Sequence, residues 1–202
     1  MEQISRRTAK ATGDADEHAT ATGDTVAFGG VPTRLGQVLV AVTERGVVAT
    51  GFRDGPAARD RIARRLGLPV VDDADRTAEA RRELAAYFAG ELRTFTIPLD
   101  WSLTSPLRRQ VLGTLLDTVP YGQVVTYGEL ARRSGGDVPA RAIGSIMGSN
   151  PIPIIVPCHR VVAGDGLGGF SGGDGVESKR LLLTLEGHLP PTLFEPYDLL
   201  KG

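Results

Sequence analysis

Residues 126–147 read TYGELARRSGGDVPARAIGSIM, a stretch in which two short helical patterns flank a glycine-containing break. Thr126 and Glu129 have the spacing of a capping box, which predicts a helix over residues 127–133. The break follows at 134–138, and Pro139 is a favoured residue at the start of the next helix. The two helices form a candidate helix-turn-helix, although many helical hairpins with this pattern do not contact DNA.

The second of these helices is built mainly from small side chains. Arg141 is its one long charged residue, and its small residues are Ala140, Ala142, Gly144, Ser145, Gly148 and Ser149. Each interior glycine costs a helix about 1 kcal/mol relative to alanine, so a closely approaching neighbour is expected to compensate. That neighbour is either another helix of the same protein or a narrow groove into which the helix is pressed, with Arg141 projecting from it.

The rest of the chain predicts two domains that follow a tail. The first half predicts, in order, a hairpin from the β-branched runs 37–42 and 46–52, helices at 56–66 and 76–88, and a proline-terminated edge strand at 94–98. Helical patterns dominate from Ser102 onward, and Ser105-Pro106 is a typical helix start. We expect a disordered tail over 1–24, an α/β scaffold domain with a small sheet over 25–101, and a mostly α domain with the helix-turn-helix over 102–202.

The composition limits the classes of site. The chain has 202 residues, 23 basic and 24 acidic, and its net charge of −1 says nothing about a nucleic-acid partner. Six arginines against three acidic residues between Ser105 and Arg160 leave a local net charge of +3, typical of a phosphate-facing surface or of a solvated helix face. One cysteine excludes an intramolecular disulfide and a cysteine-based zinc cluster, and the three histidines lack metal-ligand spacing, so we expect no metal and no cofactor.

The chain shows neither a long apolar run nor a secretory signal. A membrane span needs about 20 consecutive apolar residues, and no stretch approaches that length. The N-terminus also lacks the apolar core of a signal peptide. We therefore expect no membrane partner and a cytoplasmic location, where a free thiol stays reduced.

That thiol is Cys158, which lies in the sequence Ile154-Ile155-Val156-Pro157-Cys158-His159-Arg160. A lone cysteine beside an apolar run is most simply an inert core residue. Here, however, proline fixes the backbone before it, and His159 and Arg160 bring groups that favour the thiolate. A glycine-rich stretch over 164–173 follows, and such a loop can cover a pocket. It is not a phosphate-binding P-loop, because no Gly-Lys-Ser/Thr follows it.

With its neighbours, this segment resembles the O6-alkylguanine-DNA alkyltransferase family. The resemblance covers about 102–189, with its motifs in the family's order: the Pro-Cys-His-Arg signature at 157–160, Pro120-Tyr121-Gly122, the tyrosine segment 125–131, Arg141-Ala142-Ile143-Gly144, Asn150-Pro151, the loop 169–173 and the closing helix from Leu182 to His188. It implies single-turnover DNA repair, in which the alkyl group of O6-alkylguanine is transferred irreversibly to Cys158, with O4-alkylthymine as a second candidate substrate. His159, through a water molecule, would accept the thiol proton, and Glu186 would orient the imidazole.

The resemblance also implies how DNA is held. A monomer would bind double-stranded DNA from the minor groove through the recognition helix that carries Ala142 and Gly144, and Arg141 would fill the gap left by a flipped base. Tyr127 would press on the neighbouring phosphate and contact the base. The remaining roles would be a carbonyl of Val161 toward the guanine amine, a donor near Ser171 toward O6, and a brace of the turn by Asn150.

Some positions depart from the family pattern. Gly148-Ser149 stands where many relatives carry an arginine, which predicts one phosphate contact fewer, and Phe170 lacks a hydroxyl often found there. Residues 174–178 do not align cleanly, so the family lysine is not assigned to Lys179. Two alternative functions are a non-catalytic alkyltransferase-like protein, which the presence of Cys158 opposes, and a cysteine hydrolase, which leaves Tyr127 and Arg141 unexplained.

Overall fold

A computed structural model describes residues 24–135 and 138–190 of the chain. The first part is a four-stranded sheet of order β3-β2-β1-β4, with strands β1 (Val26–Thr33), β2 (Gly36–Thr43), β3 (Gly46–Gly51) and β4 (Val70–Val71). β1, β2 and β3 are antiparallel neighbours, and β4 lies parallel to β1. The predicted hairpin is confirmed as β2–β3, and β1 adds a strand on its other side.

Two helices cover the two faces of this sheet. Helix α1 (Pro56–Leu66) packs on the face of Val26, Ala41 and Val48, and helix α2 (Ala74–Phe88) packs on the opposite face with Val38 and Val40. The predicted bounds of α1 are confirmed. Helix α2 begins two residues earlier than predicted, because the Asp73 side chain accepts a hydrogen bond from the backbone N–H of Arg76 and caps the helix there.

The predicted edge strand at 94–98 is wrong. The backbone N–H groups of Thr96 and Ile97 donate to the buried carboxylate of Glu83, 2.9 and 3.4 Å away, and Pro98 has no N–H to offer. Because these donors are already used, the segment cannot pair as a regular strand. An isolated bridge joins Val47 to Leu99, one residue beyond the segment.

The second part of the chain is mostly helical. Its elements are α3 (Pro106–Thr118), β5 (Val125–Thr126), α4 (Tyr127–Arg133), α5 (Ala140–Gly148), a 3-10 turn at Cys158–Arg160, β6 (Val161–Val162) and α6 (Val176–Leu185). β5 and β6 pair in parallel. A continuous hydrophobic core runs from the sheet through α2 into these helices. In the ranges described, no helix is long and apolar enough to cross a membrane.

The predicted helix-turn-helix is present as α4 and α5. The Thr126 hydroxyl accepts from the backbone N–H of Glu129, as in a capping box. The Glu129 side chain binds Arg133 instead of accepting a hydrogen bond from the backbone N–H of Thr126, so only half of the capping box forms. Two residues of the break, Gly136 and Asp137, lie outside the described residues, as do residues 1–23 of the predicted tail over 1–24 and residues 191–202.

Candidate active site

A cavity of about 390 Å³ lies beside α5 and contains the thiol of Cys158. It gathers residues from α4, α5, the 3-10 turn and the glycine-rich loop: Tyr127, Gly144, Met147, Gly148, Cys158, Gly169, Phe170 and Ser171. Cys158 as a residue is 6% exposed. A volume of this size is that of a small-molecule site. Three sequence-predicted residues besides the cysteine, Tyr127, Gly144 and Ser171, are therefore brought together at one place.

The small residues of α5 leave an open surface at this cavity. Gly144 and Gly148 are exposed, and no described atom outside the backbone of this helix lies within 4 Å of the position that a Cβ would take at Gly144. Tight helix–helix packing is therefore not the reason for this glycine. Arg141 is exposed on the same helix, whereas Ala142 is half-buried against the core. The helix thus presents a flat, nearly side-chain-free face with one arginine beside it.

The turn that precedes the thiol is held from two directions. Asn150 donates from Nδ2 to the Val156 carbonyl (2.9 Å) and accepts at Oδ1 from the Ile152 N–H (3.0 Å). Thr50 of β3 reaches the same turn, since its backbone N–H donates to the carbonyl of Pro151 at 3.0 Å. Within the turn, buried Ile154 adopts a φ of 76°, a strained conformation for a β-branched residue. The contacts around it hold that conformation in place.

The glycine-rich loop is supported by the sheet domain as well. Phe170 packs edge-to-face on Phe52, with ring centroids 5.7 Å apart. A Cβ at Gly172 would lie 2.2 Å from the Phe52 ring, so this position needs glycine. On the inner side, the Tyr127 hydroxyl donates to the Gly169 carbonyl at 3.4 Å. The loop is therefore fixed between Phe52 and the cavity.

His159 and Glu186 form a fully buried pair behind the thiol. His159 Nε2 lies 2.8 Å from Glu186 Oε1. The carboxylate also accepts from Arg160 Nε and Nη2 (both 2.9 Å) and from the Gly122 N–H (3.3 Å). Burial alone would raise the pKa of Glu186, but the hydrogen bonds and charges of His159 and Arg160 lower it to about 2.

These bonds determine which nitrogen of His159 can act as a base. An ionised carboxylate only accepts hydrogen bonds, so Nε2 carries the proton. Nδ1 is buried and has no hydrogen-bond partner among the described residues. Burial lowers the pKa of His159 despite the neighbouring carboxylate, which keeps the ring neutral. His159 therefore offers a free lone pair at Nδ1.

The expectation that Arg160 lies close to the thiol is wrong. Its guanidinium turns away to Glu186 and to the Val119 carbonyl, 2.8 Å from Nη1, because both acceptors are buried and need a donor. Burial raises the pKa of Cys158, while a hydrogen bond with Asn150 and the positive charge of Lys179 lower it in part. The nearby cation is thus Lys179.

Lys179 is the functional candidate that the sequence did not assign. It is fully buried, and its ammonium donates to the carbonyls of Val161 (2.6 Å), Leu167 (2.5 Å) and Gly169 (3.3 Å). The Val161 carbonyl, predicted to contact guanine, therefore already accepts one hydrogen bond. Burial lowers the pKa of Lys179 to about 8, against the opposing influence of Cys158. Its signal in the sequence is a lysine on the apolar face of α6, three and four residues before Leu182 and Leu183.

The fold and the site define a cysteine-dependent protein with a helix-turn-helix at the mouth of its reactive cavity. Family models agree: residues 27–101 match the 6-O-methylguanine DNA methyltransferase ribonuclease-like domain, and residues 106–188 match the DNA binding domain of the same family. The methylated-DNA–protein-cysteine methyltransferase of Methanosarcina acetivorans is 37% identical over 156 residues, 76% of this chain and 93% of that protein. The chain belongs to the 6-O-methylguanine DNA methyltransferase family.

Solved structures support this membership. The Mycobacterium tuberculosis O6-methylguanine methyltransferase matches with a TM-score of 0.66 and 32% identity, over 85% of this chain and 98% of that one. The OGT of the same organism in complex with DNA matches with a TM-score of 0.65 and 32% identity, over 80% and 93% of the two chains. The predicted family and two-part fold class are confirmed.

Proposed function

We propose that the chain is a methylated-DNA–protein-cysteine S-methyltransferase that repairs DNA by direct damage reversal. It transfers a methyl or larger alkyl group from O6-alkylguanine to Cys158 and acts once per molecule. The observation that carries this proposal is the buried Cys158 in a base-sized cavity, next to a histidine with a free Nδ1. Family membership supports the same chemistry.

The reaction balances without a cofactor. The Cys158 thiol passes its proton through a water molecule to Nδ1 of His159, and the positive charge of Lys179 stabilises the thiolate. Sulfur then forms a bond to the alkyl carbon while the bond from that carbon to O6 breaks. The electron pair of the broken bond stays on guanine, which takes up a proton from water, while His159 returns the thiol proton to water. The thioether product has no nucleophilic sulfur left, so the protein is consumed.

The element that binds DNA is α5. The exposed glycines of this helix support binding in the minor groove of double-stranded DNA, where Arg141 fills the gap left by the extruded base. Asn150 braces the turn, Tyr127 presses on the adjacent phosphate, and the Ser171 region donates to O6. The protein acts as a monomer in the cytoplasm, where Cys158 stays reduced.

A transfer assay tests the proposal. A duplex with methyl-labelled O6-methylguanine should label the protein with at most one methyl per chain, and mass spectrometry should place it on Cys158. Cys158→Ser should abolish transfer and leave DNA binding largely unchanged. Repeated turnover would favour a hydrolase, and DNA binding without transfer would favour a non-catalytic damage sensor. A parallel duplex with O4-methylthymine determines whether that base is also a substrate.

A further inference from the structure

Tyr87 contacts the reactive machinery from the other domain. It lies near the end of α2, is fully buried, and its hydroxyl donates to Glu186 Oε1 at 2.8 Å. The same oxygen faces Nε2 of His159, also at 2.8 Å. One carboxylate oxygen therefore joins the N-terminal domain to the histidine behind the thiol.

The tyrosine ring is held so that this bond persists. Phe88, Phe95 and Tyr121 surround it, with ring centroids 5.3, 5.3 and 6.1 Å away. Burial raises the pKa of Tyr87 well above its usual value, so the hydroxyl stays protonated and remains a donor. A buried hydroxyl needs a partner, and Glu186 provides it.

We propose that Tyr87 is a positioning residue for alkyl transfer: by donating to Glu186 Oε1, it withdraws negative charge from the oxygen that His159 faces and so keeps the imidazole neutral. The inference rests on the proposed function. Without the hydroxyl, more negative charge stays on Oε1, and the imidazolium form of His159 is favoured. A protonated histidine cannot accept the thiol proton, so transfer would require a higher pH.

Other charged and titratable groups lie close to the His159–Glu186 pair, and their charges also affect the protonation of His159. Arg160 comes from the 3-10 turn and Lys179 from α6. Tyr121, from the segment before β5, has a raised pKa and therefore stays uncharged beside Glu186. Arg160 and Lys179 both favour a neutral His159. Among the described residues, Tyr87 is the one from the N-terminal domain that donates a hydrogen bond to the carboxylate. Its replacement therefore isolates the contribution of that domain.

Tyr87→Phe is the test, with alkyl transfer followed from pH 5 to 9. Free O6-benzylguanine as alkyl donor removes DNA binding from the measurement, and an O6-methylguanine duplex repeats it on DNA. We expect the acid limb to move up by about 0.5 to 1 pH unit, which is a three- to tenfold slower transfer at any pH on that limb. At high pH the rates should converge, and duplex affinity should not change.

Three controls separate this from a general loss of stability. Tyr121→Phe removes a nearby hydroxyl that donates to the Leu185 carbonyl instead of to Glu186, and it should leave the acid limb in place. Leu84→Val loosens the packing of α2 without removing a hydrogen bond to the Glu186 carboxylate, so it tests whether loosening alone moves the acid limb. Fluorotyrosine introduced only at position 87 keeps the fold and strengthens the donor, so it should move the limb downward.

The outcomes are distinct. A Tyr87→Phe protein that is slower by the same factor at every pH, or that has an unshifted acid limb, overturns the inference, as does a fluorotyrosine protein whose limb does not move downward. If the wild-type protein transfers no alkyl group at any pH, the proposed function fails instead, and the role of Tyr87 fails with it.

Discussion

Replacing Glu186 by glutamine should destabilise the protein strongly at neutral pH. The side chain is fully buried and accepts five hydrogen bonds, from His159, Tyr87, Gly122 and twice from Arg160. The NH2 group of the glutamine would point its two hydrogens at the same donor groups, and two donors cannot form a hydrogen bond with each other. It would also leave the guanidinium of Arg160 buried without its counter-charge.

The magnitude follows from the pKa of Glu186, which the fold lowers from 4.5 to about 2. Each unit corresponds to about 1.4 kcal/mol, so the ionised form gains roughly 3 kcal/mol from folding. Breaking a buried ion pair typically costs 3–5 kcal/mol. Both figures describe largely the same interactions and do not add, so we expect a loss of about 3–5 kcal/mol in the free energy of unfolding.

The stabilisation that ionised Glu186 provides depends on pH. Because the folded pKa lies below the unfolded one, the stabilisation is complete above pH 4.5 and is lost as the pH falls toward 2. Urea unfolding of wild type and Glu186→Gln should therefore differ most above pH 5 and approach each other toward pH 3. Glu177→Gln is the matched control in α6, where an exposed carboxylate 3.8 Å from Arg180 contributes at most about 1 kcal/mol. Equal stability of wild type and Glu186→Gln at pH 7, or a difference that does not depend on pH, would refute this reasoning.

Three further changes have separate expected results. Asn150→Ala removes two hydrogen bonds from the turn before Cys158, and urea unfolding should show a loss of about 1–3 kcal/mol; an unchanged midpoint would contradict the bracing role. Lys179→Met removes the cation that lowers the pKa of the thiol, so titration of iodoacetamide reactivity should place that pKa higher than in wild type, and an unchanged titration would exclude the lysine. Arg141→Ala should slow transfer roughly tenfold on duplex DNA and much less on free O6-benzylguanine, since the arginine offsets part of the cost of base extrusion; equal losses would remove that role.

The elements that could be predicted from the sequence are those with local signals. Helices α1 and α3 begin at prolines, and Thr126 caps α4. The signal that starts each of these helices is therefore contained in its own first residues or in the residue just before it. The segment 94–98 has an equally clear strand pattern, yet it does not form a regular strand. Its backbone donors are taken by Glu83, more than ten residues away, and periodicity carries no information about such a contact.

The residues of the site also divide into those with a local signal in the sequence and those whose role depends on distant contacts. Cys158, His159 and Asn150 lie within nine residues of one another, so a short stretch of sequence predicts all three as site residues. The orientation of Arg160 was not predictable, because adjacent residues point in different directions and its acceptor, Glu186, is 26 positions away. The sequence does not assign Lys179 a role, because the loop before it does not align with the family pattern. Its role depends on three carbonyls that only the folded loop brings together.

The N-terminal domain, which the sequence describes only as a scaffold, contacts the reactive site at three places. Tyr87 binds the carboxylate behind His159, Thr50 binds the turn before Cys158, and Phe52 packs on the cavity loop. A thiol whose pKa is raised by burial depends on groups that are held in fixed positions, because a small displacement removes a hydrogen bond or a charge that it needs. Each of the three contacts fixes a different part of that environment. The domain therefore holds the surroundings of Cys158 in place without contributing a reacting atom, which explains why no catalytic pattern is visible in its sequence.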